Sequence, residues 1–114
     1  MVTIHIAAAL ICFAEICQPA LVGRTTPPGE YKLTYALTEA PGFDGNVLVF
    51  KEDEKDVFAI HRLWLLNPKQ KREQRIKSSN PKDRVITAGC VNVSTEVFDQ
   101  LVECCKDSPL TIVH

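Results

Sequence analysis

A cysteine is a nucleophile only as its thiolate, and a neighbouring imidazole that takes the proton makes that state accessible near neutral pH. The sequence offers one such pairing. Cys90 stands in the run Thr87-Ala88-Gly89-Cys90-Val91-Asn92, and His61 ends the run Val57-Phe58-Ala59-Ile60-His61. Gly89 lets the backbone turn tightly before the sulfur. A turn of this kind brings the amide N–H groups of Gly89 and Cys90 close to a substrate carbonyl, where they would stabilise a developing oxyanion. Taken singly, a Cys after a Gly and a His at a strand end also fit an ordinary packed core.

The other cysteines sharpen the choice. There are five, at positions 12, 17, 90, 104 and 105, and an odd count leaves at least one sulfur outside any intramolecular disulfide scheme. Cys90 is the candidate for that free thiol. Cys104 and Cys105 are adjacent and far from any CxxC partner, which argues against a zinc site and for buried structural thiols.

The elements that must position this pair follow from punctuation and period. Glu30 to Leu37 alternates Tyr31, Leu33, Tyr35 and Leu37 on one face, which predicts a half-buried strand after Thr26-Pro27-Pro28-Gly29. Pro41-Gly42 and Asp44-Gly45 mark a loop. Val47 to Phe50 and Val57 to His61 flank a charged stretch and predict a hairpin with a long tip, so His61 falls at a strand end. Val85 to Thr87 predicts another short strand leading into the Gly89-Cys90 turn. Ser94 is a helix N-cap with Glu96 in the first turn, Val97, Leu101 and the Cys104-Cys105 pair recur at helical spacing, and Pro109 closes the helix before a last strand, Leu110 to Val113. The fold class expected is therefore mainly β, a sheet sandwich or barrel-like arrangement, with one substantial helix near the C-terminus.

The 114 residues, 46% hydrophobic and 24% charged, describe one small globular domain with a single core. The first 21 residues form a separate apolar segment ahead of a domain spanning 22–114. Ile6 to Cys17 has the length of a signal-peptide core, but no Lys or Arg precedes it and Glu15 interrupts it. The alternative, favoured on those two grounds, is a buried helix or strand pair packed into the domain. The run is too short to span a bilayer as a helix, which takes about 20 residues.

Charge is polarised. Between Arg62 and Arg84 lie eight basic residues against Glu73 and Asp83, a local charge of +6 in a chain whose total is −1. A solvated loop would read this way. So would a basic lid over a site for carboxylate-bearing substrates, with Arg62, Arg75 and Arg84 as its candidate cations. Only Trp64 could stack on a base there, so the stretch does not read as a nucleic-acid surface. Residues 66–83 show no clear period, which suggests a functional flap or disorder.

Taken together and in order, these motifs resemble the catalytic domain of the bacterial L,D-transpeptidases, which cross-link peptidoglycan. The residues that carry the resemblance are Thr26-Pro27-Pro28-Gly29-Glu30-Tyr31, Ile60-His61, Thr87-Ala88-Gly89-Cys90-Val91-Asn92, the helix from about Thr95, and Leu110-Thr111-Ile112-Val113. The resemblance implies that Cys90 is the nucleophile and His61 its base, with Thr87 and Gly89 shaping the turn and Asn92 supporting it. It implies acyl transfer on peptidoglycan stem peptides in the cell envelope, with no metal or organic cofactor, and it leaves the oligomeric state open. Ala88 stands where the family usually has His, the His61–Cys90 segment is longer than usual, and only about 20 residues precede the Thr-Pro turn, so an N-terminally shortened domain is expected.

Three function classes follow. The first is a cysteine-dependent envelope acyltransferase, or a hydrolase of the L,D-carboxypeptidase type. The second is a shortened, non-catalytic peptidoglycan-binding relic. The third, resting only on five cysteines and three histidines, is a cytosolic redox or metal-binding protein.

Overall fold

Val2–His5 (β1) and Leu10–Phe13 (β2) alternate buried and half-buried side chains, so Val2, Ile4, Ile11 and Phe13 share one face. In a strand that alternation selects the face laid on the core. The apolar N-terminal run is thus a pair of core strands, extended by Ile16–Pro19 (β3), whose Cys17 is bonded to Cys12 at the directly opposite position of β2. The structure is a computed structural model and describes residues 1–114.

β1 pairs in parallel with Pro109–Val113 (β9), and β9 pairs on its other side with Gly29–Lys32 (β4). The first sheet therefore runs β3-β2-β1-β9-β4 and places the two ends of the chain in its middle. The second sheet runs β5-β6-β7-β8, from Thr34–Leu37 (β5), Asn46–Glu52 (β6), Val57–Arg62 (β7) and Val91–Val93 (β8). β6 and β7 form the expected hairpin, and β7 pairs in parallel with β8, with His61 opposite Asn92. Ile4, Ile11, Leu110 and Ile112 of the first sheet join Leu48, Ile60, Val91 and Val93 of the second in one apolar cluster. The fold is mainly β in two sheets, with no closed barrel.

One helix completes the core. Ser94 Oγ accepts the Val97 N–H, capping Thr95–Cys105 (α2), which buries Val97, Phe98 and Leu101. A shorter helix, Arg72–Ile76 (α1), lies in the basic segment. No helix is long and apolar enough to cross a membrane.

Four sequence expectations change. Glu30 to Leu37 is two strands in different sheets, because the chain crosses between layers at the fully buried Leu33, which leaves Tyr35 and Leu37 exposed. Val85 to Thr87 is not a strand: Val85 makes a single bridge to Val22, and the amides of Ile86 and Thr87 both donate to the Val22 carbonyl. The 66–83 stretch is ordered, with 3-10 turns at Pro68–Gln70 and Pro81–Arg84 on either side of α1. Each 3-10 turn has an Asn before its Pro, and the Asn67 and Asn80 side chains accept the N–H of Lys69 and Lys82. Finally, Cys104 and Cys105 are bonded to each other at the half-exposed end of α2 rather than buried as thiols.

Candidate active site

The turn that carries Cys90 is held by three threonines. Thr87 Oγ1 donates to the Cys90 carbonyl at 2.6 Å and accepts the Gly89 N–H at 3.2 Å, closing the loop on itself. From the loop before β4, Thr25 Oγ1 donates to the Ala88 carbonyl at 2.9 Å, and Thr26 Oγ1 donates to the Gly89 carbonyl at 3.0 Å while accepting the Gly23 N–H. The two loops are in close contact, since a Cβ on Gly23 would lie 2.2 Å from the Thr87 carbonyl oxygen. Gly89 has φ +129° and its Cβ position is filled by the Phe58 ring, so both conformation and space demand glycine there.

With Cys12 bonded to Cys17 and Cys104 to Cys105, Cys90 is the one free cysteine. It is half-buried, and its thiol points to the Val57 carbonyl of β7 at 3.7 Å. Burial pushes the thiol up from its ordinary range, partly offset by a backbone hydrogen bond from Ala59 and the positive charge of Arg72.

Parallel pairing of β7 with β8 sets His61 against Asn92. The imidazole is almost fully enclosed and donates Nδ1–H to the Arg62 carbonyl at 2.7 Å, which leaves Nε2 as the lone-pair nitrogen. Phe43 meets the ring edge-on, with centroids 4.6 Å apart. Burial drives the His61 pKa down to about 4; the carbonyl bond opposes this and Arg72 adds to it. The resting imidazole is therefore neutral through the physiological range.

Asn92 is fully buried and joins the parts. Its amide Nδ2 lies 3.4 Å from His61 Nε2, while its Oδ1 accepts Arg72 Nη1 at 2.7 Å and the Trp64 N–H at 3.2 Å. Its backbone is fixed by two hydrogen bonds to Leu21.

His61 and Cys90 line one open cavity of about 310 Å³, shared with Phe43, Trp64, Thr87 and Arg72. No hydrogen bond joins the thiol to the imidazole in this resting arrangement, as is common in sites without substrate. The cations expected to form a lid are engaged elsewhere. Arg62 pairs with Asp99 and lies over the Phe98 ring. Arg75 donates to the carbonyls of Gln70 and Asp83. Arg84 is buried and ties the β1–β2 turn by donating to the carbonyls of Ala8 and Ala9. The cation that reaches the cavity is Arg72, missed in the sequence together with Phe43 and the Gly23 to Thr26 loop. The Asn-Pro pairs at 67–68 and 80–81 signal ordered turns around it, and those turns select which basic side chain faces inward.

Several solved structures share this two-sheet arrangement. L,D-transpeptidase 1 of Mycobacterium tuberculosis superposes with a TM-score of 0.59 at 15% identity, covering 99% of this chain and 58% of that one. An L,D-transpeptidase from Mycobacterium smegmatis gives 0.61 at 14%, with the same coverage. Bd1075 of Bdellovibrio bacteriovorus gives 0.62 at 15%, covering 99% of this chain and 47% of that one.

The chain has the L,D-transpeptidase fold.

It spans about half the length of these L,D-transpeptidase-fold structures. No family model matches the sequence, and no curated protein matches it. Within this L,D-transpeptidase fold His61 lies in β7 and Cys90 in the turn immediately before β8, the parallel neighbour of β7 at the edge of the second sheet.

Proposed function

We propose that the Cys90–His61 site carries out cysteine-dependent acyl transfer on peptidoglycan stem peptides in the cell envelope, outside the cytoplasm. The observation that carries this is the opening of the one free thiol onto the same cavity as a neutral imidazole whose Nδ1–H is tied to a carbonyl. That tautomer leaves Nε2 able to accept a proton.

The steps follow from these groups. His61 Nε2 takes the thiol proton as Cys90 Sγ attacks the carbonyl of the L-centre. The tetrahedral oxyanion forms beside the 87–90 turn. Thr87 already engages the Gly89 amide, so the Cys90 N–H is the first donor for the oxyanion, with Gly89 supplying the conformation that aims it and its own N–H as the second. Collapse expels the terminal residue as an amine, which takes the proton back from His61, and leaves a thioester on Cys90. An acceptor amine attacks the thioester in transfer, and water attacks it in hydrolysis; both regenerate the thiol. Asn92 holds the imidazole at Nε2 until the thiol approaches, and Thr87 preserves the turn.

A second reading, a peptidoglycan-binding relic, draws support from the thiol pointing to the Val57 carbonyl and from Ala88 in place of His. Release of the terminal amino acid from a stem tetrapeptide separates the two. On the catalytic reading, Cys90→Ser and His61→Ala each reduce release to background by a similar factor, because members of one catalytic unit fail non-additively. Undiminished release by Cys90→Ser would sink the assignment.

A further inference from the structure

Arg72 is the only permanently charged cation among the residues lining the cavity. It comes from the first turn of α1 and is held in place from three sides. Nε donates to Gln70 Oε1 at 2.9 Å, Nη1 donates to Asn92 Oδ1, and the guanidinium carbon lies 5.3 Å from the Trp64 ring centroid. These contacts fix the plane of the group. They use two of its five N–H donors. No carboxylate of the protein pairs with it, since the one ion pair in the structure is Arg62–Asp99 and Asp56, which also lines the cavity, makes none. A half-buried guanidinium is costly to leave without an anion. Arg72 lines the same cavity as Cys90 and His61.

Resting on the acyl-transfer reading above, we propose that Arg72 is the specificity-determining residue of the site, and that its open N–H edge receives a carboxylate of the acyl donor next to the scissile bond. The preferred donors are then anionic peptides. The carboxylate has two possible sources, the free α-carboxylate of the departing residue or a carboxylate on the donor side chain. Both present the planar pair of oxygens that a guanidinium holds bidentately. The engaged positions of Arg62, Arg75 and Arg84 leave this duty to Arg72.

Two alkylating probes that differ by one charge test the proposal on the intact chain. Iodoacetate and iodoacetamide both form an Sγ–C bond at Cys90 and release iodide, while the thiol proton passes to His61 or to solvent. Dividing the iodoacetate rate by the iodoacetamide rate cancels any change in thiolate fraction, so the quotient reports anion recognition. Arg72→Gln should lower the quotient about tenfold, equivalent to roughly 1.4 kcal/mol, and Arg72→Lys should retain most of it. In the wild-type chain the iodoacetate rate should saturate with concentration while the iodoacetamide rate stays linear. An unchanged quotient in Arg72→Gln, or a linear iodoacetate rate in the wild type, overturns the proposal. The wild-type measurement decides the matter even if the glutamine variant fails to fold.

Stem peptides amidated either at the C-terminus or at the side-chain carboxylate identify the source. Whichever amidation raises KM in the wild type and has no effect in Arg72→Gln marks the carboxylate that Arg72 holds. If neither does, the proposal falls. Loss of the acyl-transfer reading would appear differently, as no turnover of any peptide while the alkylation quotient still depends on Arg72.

Discussion

At the scale of single residues, burial leaves both members of the proposed catalytic pair uncharged at rest. Burial disfavours both the thiolate of Cys90 and the imidazolium of His61, so the resting pair is neutral, and in the proposed mechanism proton transfer between them accompanies attack. The same burial has a consequence for stability. In the unfolded chain His61 binds a proton below about pH 6.5, whereas in the folded protein it does so only at about 4. Between those values the unfolded state holds the extra proton, so stability falls as pH is lowered from 6.5 to 4 and levels off below. The depression corresponds to about 3 kcal/mol. Urea unfolding of wild type and His61→Gln across pH 3.5–8 should show this as a gap between the two curves that changes by about that amount, since the carboxylates titrate alike in both. A gap independent of pH would mean that His61 is solvated. That Cys90 is the free thiol and that His61 lies in a strand are legible in the sequence, from the odd cysteine count and the Val57–His61 run. Arg72 is not, because eight basic residues compete for one place and only the packing of the 67–84 turns decides among them.

At the scale of elements, what is legible depends on whether periodicity has room to show. The β6–β7 hairpin, α2 with its Ser94 cap, and β9 each have a clear pattern, and each is found within a residue or two of its expected place. α1 and the two 3-10 turns, at three to five residues, are shorter than two helical turns and show no period. The strand expected at 30–37 has the right alternation, but alternation does not reveal a change of partner, and at Leu33 the chain leaves one sheet for the other. The least visible support is the Gly23 to Thr26 loop, which holds the Cys90 turn from more than 60 residues away. Thr26 is buried and its hydroxyl serves both Gly23 N–H and Gly89 carbonyl, so Thr26→Val keeps the shape and strands two buried backbone groups. Each stranded group costs about 1–3 kcal/mol. The valine variant should lose about 2–6 kcal/mol in denaturant unfolding and alkylate more slowly at Cys90, while Thr26→Ser, which keeps the hydroxyl, should recover most of both. Equal loss in the serine variant would shift the credit from the hydrogen bonds to the methyl group.

At the scale of the whole molecule, the two ends of the chain meet in the middle of one sheet. β1 lies between β2 and β9, and β9 is in turn the only link from β1 to β4. The apolar N-terminal run is therefore part of the core of this fold, and Arg84 fastens it from outside by donating to the carbonyls of Ala8 and Ala9. Arg62 and Arg75, like Arg84, are occupied in holding segments together rather than facing the cavity. Removing residues 1–20 would take away Val2, Ile4 and Ile11, all fully buried, together with Ala9 and Phe13. Each of the three aliphatic side chains is worth about 1.5–3 kcal/mol of burial, which approaches the 5–15 kcal/mol that typically holds a small domain together. The truncation would also bare one edge of β9 and part of the apolar cluster shared by the two sheets, inviting edge-to-edge association. A chain beginning at Leu21 should thus show no cooperative thermal transition and should aggregate at concentrations where the full chain does not. Arg84→Met, which leaves all strands in place and removes only the ties to Ala8 and Ala9, should unfold cooperatively at a lower midpoint. A truncated chain that melted at the wild-type midpoint would show that the first sheet is stable without β1 to β3 and that the N-terminal strands add nothing to the core.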